Sequence, residues 1–293
     1  MKKNKKDNNN EQWDKIISSK HKLFDLKLKE VWDYRDLILL FVKRDFVIYY
    51  KQTILGPLWY LIQPIMSTIM YMIIFGALAK IGTDGIPQPL FYFGGTMLWT
   101  YFSENLIAAS NVFTNNKQIF GKVYFPRLTV PIAGSLMLMI KLAIQFALFA
   151  AVYVFYYIRQ GSMDGVSLHL CWTMLLIPVV VLWLAVLSTG IGMIISAITT
   201  KYRDLAMMLN FIMSLVMYAT PVVYPLSTVH GKLQWLLYLN PVSAPIEMFR
   251  VWTFGAGAVP MNVMYLSIAE TVLCLFFGLI LFTRNERTFV DVI

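Results

Sequence analysis

The chain has 293 residues, of which 58% are hydrophobic, 15% aromatic and only 14% charged, with a formal net charge of +9. A soluble domain is about 45–50% apolar and about 25% charged, so this balance excludes a soluble globular domain and equally a disordered or fibrous chain. An excess of basic residues points to nucleic acid only when it clusters on a soluble domain, so its meaning here depends on topology.

The first thirty residues are polar and Lys-rich, with no apolar core followed by small residues, and no signal peptide is expected there. Residues 32–51 behave differently. On a helical wheel Arg35, Asp36, Lys43, Arg44 and Lys51 share one half, while Leu37, Ile38, Phe41, Val42, Ile48 and Tyr49 share the other. The segment reads as an amphipathic helix in the membrane interface, although Asp45 falls on the apolar side and Leu40 and Val47 on the polar side. A membrane span is the competing reading, and the charges at Lys43, Arg44, Asp45 and Lys51 argue against it.

A hydrocarbon core about 30 Å thick takes about 20 apolar residues of helix. Six runs of that kind occur, at 56–79, 89–113, 128–158, 171–199, 205–224 and 262–283. The third and fourth are long enough to tilt or to project. Residues 1–55 and the loops after the second and fourth runs, together with the tail, hold 20 of the 25 Lys and Arg residues. The opposite side holds Lys80, Arg159, Lys232 and Arg250, and Lys141 is intramembrane. Basic residues mark cytoplasmic loops, so an all-α membrane protein with six transmembrane helices and both termini cytoplasmic is predicted.

The loop at 115–127 mixes Asn115, Lys117, Gln118, Lys122 and Arg127 with Ile119, Phe120 and Phe125. A solvated connection needs no such apolar residues, whereas a short helix docking into a partner's groove exposes them. The alternative is a loop whose aromatics sit among headgroups. The stretch 225–261 holds two apolar pieces split by Asn240 and Pro241, each too short to span. A pair of short re-entrant helices before the last span is expected, with an amphipathic surface loop as the alternative.

Cys171 and Cys274 read as packed small hydrophobes, and His21, His169 and His230 are scattered without metal-ligand spacing. No Ser/His/Asp arrangement is suggested and no Gly-x-x-x-x-Gly-Lys-Ser/Thr loop occurs, so neither a catalytic site nor a nucleotide site of its own is expected. At about 1.5 Å per residue, Glu104 lies roughly 14 Å deep, Lys141 roughly 18 Å and Glu270 roughly 20 Å. An unpaired charge at that depth is costly, so Lys141 is expected to pair with Glu104 or Glu270, or to face water. Aromatic residues near span ends, Trp59, Tyr60, Trp99, Tyr218 and Tyr224 among them, read as interfacial belts.

The motifs Tyr34-Arg35-Asp36-Leu37, Arg44-Asp45, Tyr50-Lys51-Gln52-Thr53-Ile54-Leu55-Gly56-Pro57-Leu58-Trp59 and Gln63-Pro64 resemble the start of ABC type-2 exporter permeases of the polysaccharide-export branch. The resemblance continues through Lys122-Val123-Tyr124-Phe125-Pro126-Arg127, Tyr202-Arg203-Asp204-Leu205, Thr220-Pro221-Val222-Val223-Tyr224-Pro225, Leu239-Asn240-Pro241 and Glu286-Arg287-Thr288-Phe289-Val290-Asp291. It covers residues 30–293 and leaves 1–29 as a disordered basic tail that touches anionic lipid.

This resemblance implies an interface helix at 32–51, with Arg35, Asp36, Arg44 and Lys51, and an ATPase-coupling helix at 115–127 received by a nucleotide-binding subunit. It implies paired re-entrant helices at 225–261 and two copies of the chain around one channel. Trp59, Tyr60, Gln63, Trp99, Glu104, Lys141, Tyr218 and Tyr224 are then candidates for lining it. The implied function is export of a lipid-linked polysaccharide, O-antigen foremost, carried on undecaprenol across the inner membrane. ATP and Mg would be bound by the partner subunit; this chain would bind no cofactor, no metal and no nucleic acid. Teichoic acid or capsule export, drug or small-lipid efflux, and an enzyme acting on lipid-linked sugars are the alternatives.

Overall fold

Two glycines two residues apart let one helix sit with its backbone against neighbours on both sides. The computed structural model describes residues 28–51, 55–159, 168, 171–199, 202, 204–257 and 259–290. Residues 1–27 of the basic tail, most of the loop at 160–170, and Lys201 and Arg203 lie outside the described residues. The described residues are helical, without strands. In order they form α1 (Leu28–Asp33), α2 (Arg35–Lys51), α3 (Trp59–Tyr71), α4 (Gln88–Ser110), α5 (Val112–Asn115), α6 (Lys117–Phe120), α7 (Thr129–Arg159), α8 (Ile177–Thr199), α9 (Asp204–Tyr218), α10 (Lys232–Tyr238), α11 (Ser243–Phe254) and α12 (Met261–Val290).

Helix α3 runs on as π-helix over Met72–Leu78, and a 3-10 turn at Trp172–Leu176 leads into α8. Four helical stretches are long and apolar enough to cross a membrane: Trp59–Leu78, Thr129–Arg159, Trp172–Thr199 and Met261–Glu286. Helix α9 is apolar but shorter, and α4 is the most enclosed helix, buried on nearly every face between Leu90 and Phe102.

The centre is α8, packed between α4 and α12. A Cβ on Gly190 would stand 2.8 Å from the Leu275 amide nitrogen, and one on Gly278 would stand 2.5 Å from the Gly190 carbonyl oxygen. On the other side, a Cβ on Gly192 would lie 2.5 Å from that of Ala109. Where lipid tails supply no hydrophobic drive between helices, such close backbone approach provides the packing. Asn105 of α4 adds hydrogen bonds to the Ser188 and Thr189 hydroxyls of α8, at 2.6 and 3.0 Å.

The apolar runs place the helices well, and the ends move for local reasons. The run at 89–113 is divided at Asn111, whose side-chain amide donates to the Ile107 carbonyl at 3.0 Å, so α4 stops at Ser110. The run at 205–224 ends early, at Tyr218. Pro221 disfavours a helical Thr220, and the Thr220 hydroxyl turns back to the Val216 carbonyl at 2.8 Å. Helix α2 buries Ile38, Phe41 and Val42 against α7, as its wheel predicts, but Ile48 is exposed.

Candidate functional site

Three groups of chemistry-bearing residues are built by this packing. The first surrounds the connection from α4 to α7. Asn115, Lys117, Gln118 and Lys122 are exposed and Ile119 is half-buried. Phe120 and Phe125, expected on the exposed docking face, are instead 8% and 5% exposed. They belong to a chain of aromatic rings. Phe125 packs edge-on to Phe41 of α2 at 5.7 Å and against Phe120 at 5.7 Å; Phe120 meets Phe113 at 6.0 Å, and Phe113 meets Phe282 of α12 at 4.8 Å. Ring pairs at these separations stabilise beyond the area they bury.

Arg127 is also buried. Its guanidinium donates to the Glu286 carbonyl at 2.5 Å and lies 5.3 Å from the Phe120 ring centroid. Burial lowers its pKa from the ordinary arginine value, while the Glu286 carboxylate 3.8 Å away raises it. The large side chains that do face outward are Val123 and Tyr124, 61% and 54% exposed. The loop is therefore held by its phenylalanines and Arg127, and it presents Lys117, Gln118, Lys122, Val123 and Tyr124. On α2, Arg35, Asp36 and Lys51 are exposed, while Arg44 bonds Asp45 at 2.7 Å and covers the Phe41 ring.

The second group lies midway along the bundle. Lys141 of α7 donates to Glu104 of α4 at 2.5 Å, and its ammonium lies 5.5 Å from the Tyr60 ring centroid. The lysine side chain is 10% exposed and the glutamate 33%, so the carboxylate is the outward member of the pair. It faces a cavity of about 430 Å³ between α3, α4 and α9, lined also by Gln63, Trp99, Ser103, Asn210, Ser214 and Tyr218. Asn210, Ser214 and Tyr218 recur every four residues and so share one face of α9. Of the predicted lining residues, Gln63, Trp99, Glu104 and Tyr218 meet here; Trp59, Tyr60 and Tyr224 are not among the lining residues. Tyr60 is buried, with its carbonyl accepting from Gln145, and Trp59 is exposed.

The third group closes the other end of α4. Glu247 and Arg250 of α11 form an ion pair at 2.7 Å. Arg250 donates to the carbonyls of Val222 at 2.9 Å and Tyr224 at 3.5 Å, and stacks 3.9 Å above the Phe91 ring. Burial lowers its pKa and Glu247 raises it. Asn240 donates to the Ala219 carbonyl and the Thr220 hydroxyl at 2.9 and 2.8 Å. The Tyr224 hydroxyl donates to the Tyr218 carbonyl at 2.9 Å. The Thr220–Pro225 and Leu239–Pro241 motifs are thus one assembly. Sequence reasoning counted Glu247 and Arg250 only among the outer-side charges of the stretch 225–261, and their i, i+3 spacing was the available signal of a pair.

The sequence is similar to known transport proteins. The family described as ABC-2 type transporter matches residues 36–254. The chain is similar to an O-antigen export system permease protein RfbA of Klebsiella pneumoniae, 25% identical over 272 residues that cover 92% of this chain and 99% of the relative. A protein of the same name from Myxococcus xanthus is 26% identical over 226 residues, covering 76% and 82%. A second Klebsiella pneumoniae RfbA is 24% identical over 261 residues, covering 88% and 95%. The chain belongs to the ABC-2 type transporter family and is a multi-pass membrane subunit for transport whose partner is an ABC ATPase.

Proposed function

We propose that this chain is the permease subunit of an exporter that carries O-antigen, as an undecaprenyl-linked polysaccharide, across the inner membrane while a separate subunit binds and hydrolyses ATP. The observation that carries this reading is the near end-to-end similarity to a permease named for O-antigen export.

The four long apolar stretches, with α4 and α9, make six spans. Both termini face the cytoplasm, the side assigned 20 of the 25 basic residues. Helix α2 lies along that interface and the tail at 1–29 meets anionic lipid. Helices α10 and α11 form the re-entrant pair, for α11 is largely buried and too short to span. Two copies assemble around one path, an arrangement favoured by the exposed apolar faces of α3 (Met66, Met70) and α9 (Met207, Phe211, Leu215). The chain holds no nucleotide. ATP and Mg act in the partner, and the exposed face of α6 and its following loop receives the push. Coupling needs an ATP-bound partner that favours one permease conformation over the other.

Deletion of the gene tests the reading. Accumulation of undecaprenyl-linked glycan on the cytoplasmic side, reversed by restoring the chain, is the expected result. Normal surface glycan after deletion overturns it.

A further inference from the structure

The mid-bundle cavity carries a statement about which glycans pass. Among its lining residues Glu104 is the one charged side chain, and its counter-ion, Lys141, lies behind it, enclosed by the carboxylate and the Tyr60 ring. What a passing molecule meets is therefore an outward carboxylate, the amides of Gln63 and Asn210, hydroxyls of Ser103 and Ser214, and the aromatic side chains of Tyr71, Trp99 and Tyr218. We infer that this cavity is a specificity-determining part of the path and that it takes neutral, hydroxyl-rich sugar rings while rejecting repeat units that carry phosphate or carboxylate groups.

The chemistry is that of neutral carbohydrate. Hydroxyl groups donate to a carboxylate in charge-assisted bonds, amides both donate and accept, and apolar ring faces stack on aromatic side chains. An anionic repeat unit meets the opposite situation. It leaves water for a site whose cation is already neutralised, so its desolvation is not offset, and the Glu104 carboxylate repels it. Pores for anions are lined by Lys or Arg facing the lumen, which this cavity does not offer. The inference rests on the exporter reading and narrows it, since polyphosphate polymers of the teichoic type fall outside it.

The test uses the complex of this chain with its ATPase in nanodiscs, with two probes on the same undecaprenyl carrier: a neutral hexose oligosaccharide and the same oligosaccharide bearing a phosphate on each repeat. The neutral probe is expected to stimulate ATP hydrolysis at concentrations at least tenfold lower than the phosphorylated one. Asn210→Lys adds a cation to the α9 wall of the cavity while keeping both members of the ion pair in the chain, and is expected to reduce that preference severalfold; Glu104→Gln, which frees Lys141, is expected to do the same. Equal stimulation by both probes in the unaltered complex overturns the inference, as does an Asn210→Lys complex that assembles and keeps the full preference. Stimulation by neither probe overturns the exporter reading itself, and the inference with it.

Discussion

Glu247 and Arg250 bury an ion pair in the wall of the bundle, with side chains 1% and 2% exposed and a nitrogen–oxygen distance of 2.7 Å. Removing one member of such a pair leaves an uncompensated charge and costs about 3–5 kcal/mol, far more than the pair contributes over apolar residues of the same volume. Arg250→Met is therefore expected to lower the thermal midpoint of the purified protein sharply, and Arg250→Met with Glu247→Leu to recover part of the loss, the remainder reflecting the Val222 and Tyr224 carbonyls that lose their donor. A single variant as stable as the parent would contradict the role given to the pair.

Stability and the proposed coupling role separate at the loop between α4 and α7. Phe120→Ala empties a site inside the ring cluster and is expected to cost about 3–5 kcal/mol of stability. Tyr124→Ala and Lys117→Glu change exposed positions and are expected to leave melting unchanged. The same two variants should weaken copurification with the ATPase and reduce export severalfold. If they copurify and export normally, the outward face of the loop is not the contact.

The ion pair between α4 and α7 is open to a double-mutant cycle. Lys141→Met and Glu104→Gln should each reduce folding yield or export, and together should cost less than the sum, with a coupling of about 0.5–3 kcal/mol. A Lys141→Met protein that assembles and exports at the normal rate would leave the pair with neither a structural nor a transport role.

Gly278→Val places a branched side chain where the Gly190 carbonyl already stands 2.5 Å from a bare Cβ. Overpacking of this kind costs about 1–3 kcal/mol or more when backbone must move. Reduced membrane abundance and loss of a monodisperse peak on gel filtration are expected. Gly82→Val, where a Cβ meets nothing within 4 Å, serves as the control.

The long apolar helices were legible because length and composition report them directly. Depth arithmetic also placed Glu104 and Lys141 within roughly 4 Å of each other along the membrane normal, since both were counted from the same side. The orientation of Phe120 and Phe125 was not legible. A loop has no repeating period to assign its faces, so apolar residues there fit a partner's groove and the chain's own core equally well. What decides is tertiary: Phe41, Phe113 and Phe282 come from three separate helices, and only folding gathers them. The early end of α9 was written in Thr220-Pro221, a local signal that the continuing apolar run concealed. Of the cavity's lining, Gln63, Trp99, Glu104 and Tyr218 were named from the sequence, whereas Asn210 and Ser214 were missed although their spacing of four from Tyr218 puts them on its face of α9.

The glycine seams of α8 also divide the labour of movement. Helices whose backbones touch, as α4, α8 and α12 do at Gly190, Gly192 and Gly278, have no compressible side-chain layer between them and no room to slide. They form a stator. Helices α3 and α9 rest on it lightly, with most of their apolar surface facing outward, and the cavity opens where they meet α4. In the proposed transport cycle, a push on the exposed loop face around Lys117 and Tyr124 would then be taken up in the two outer walls, and the proposed path would widen where α3 and α9 tilt away from Glu104.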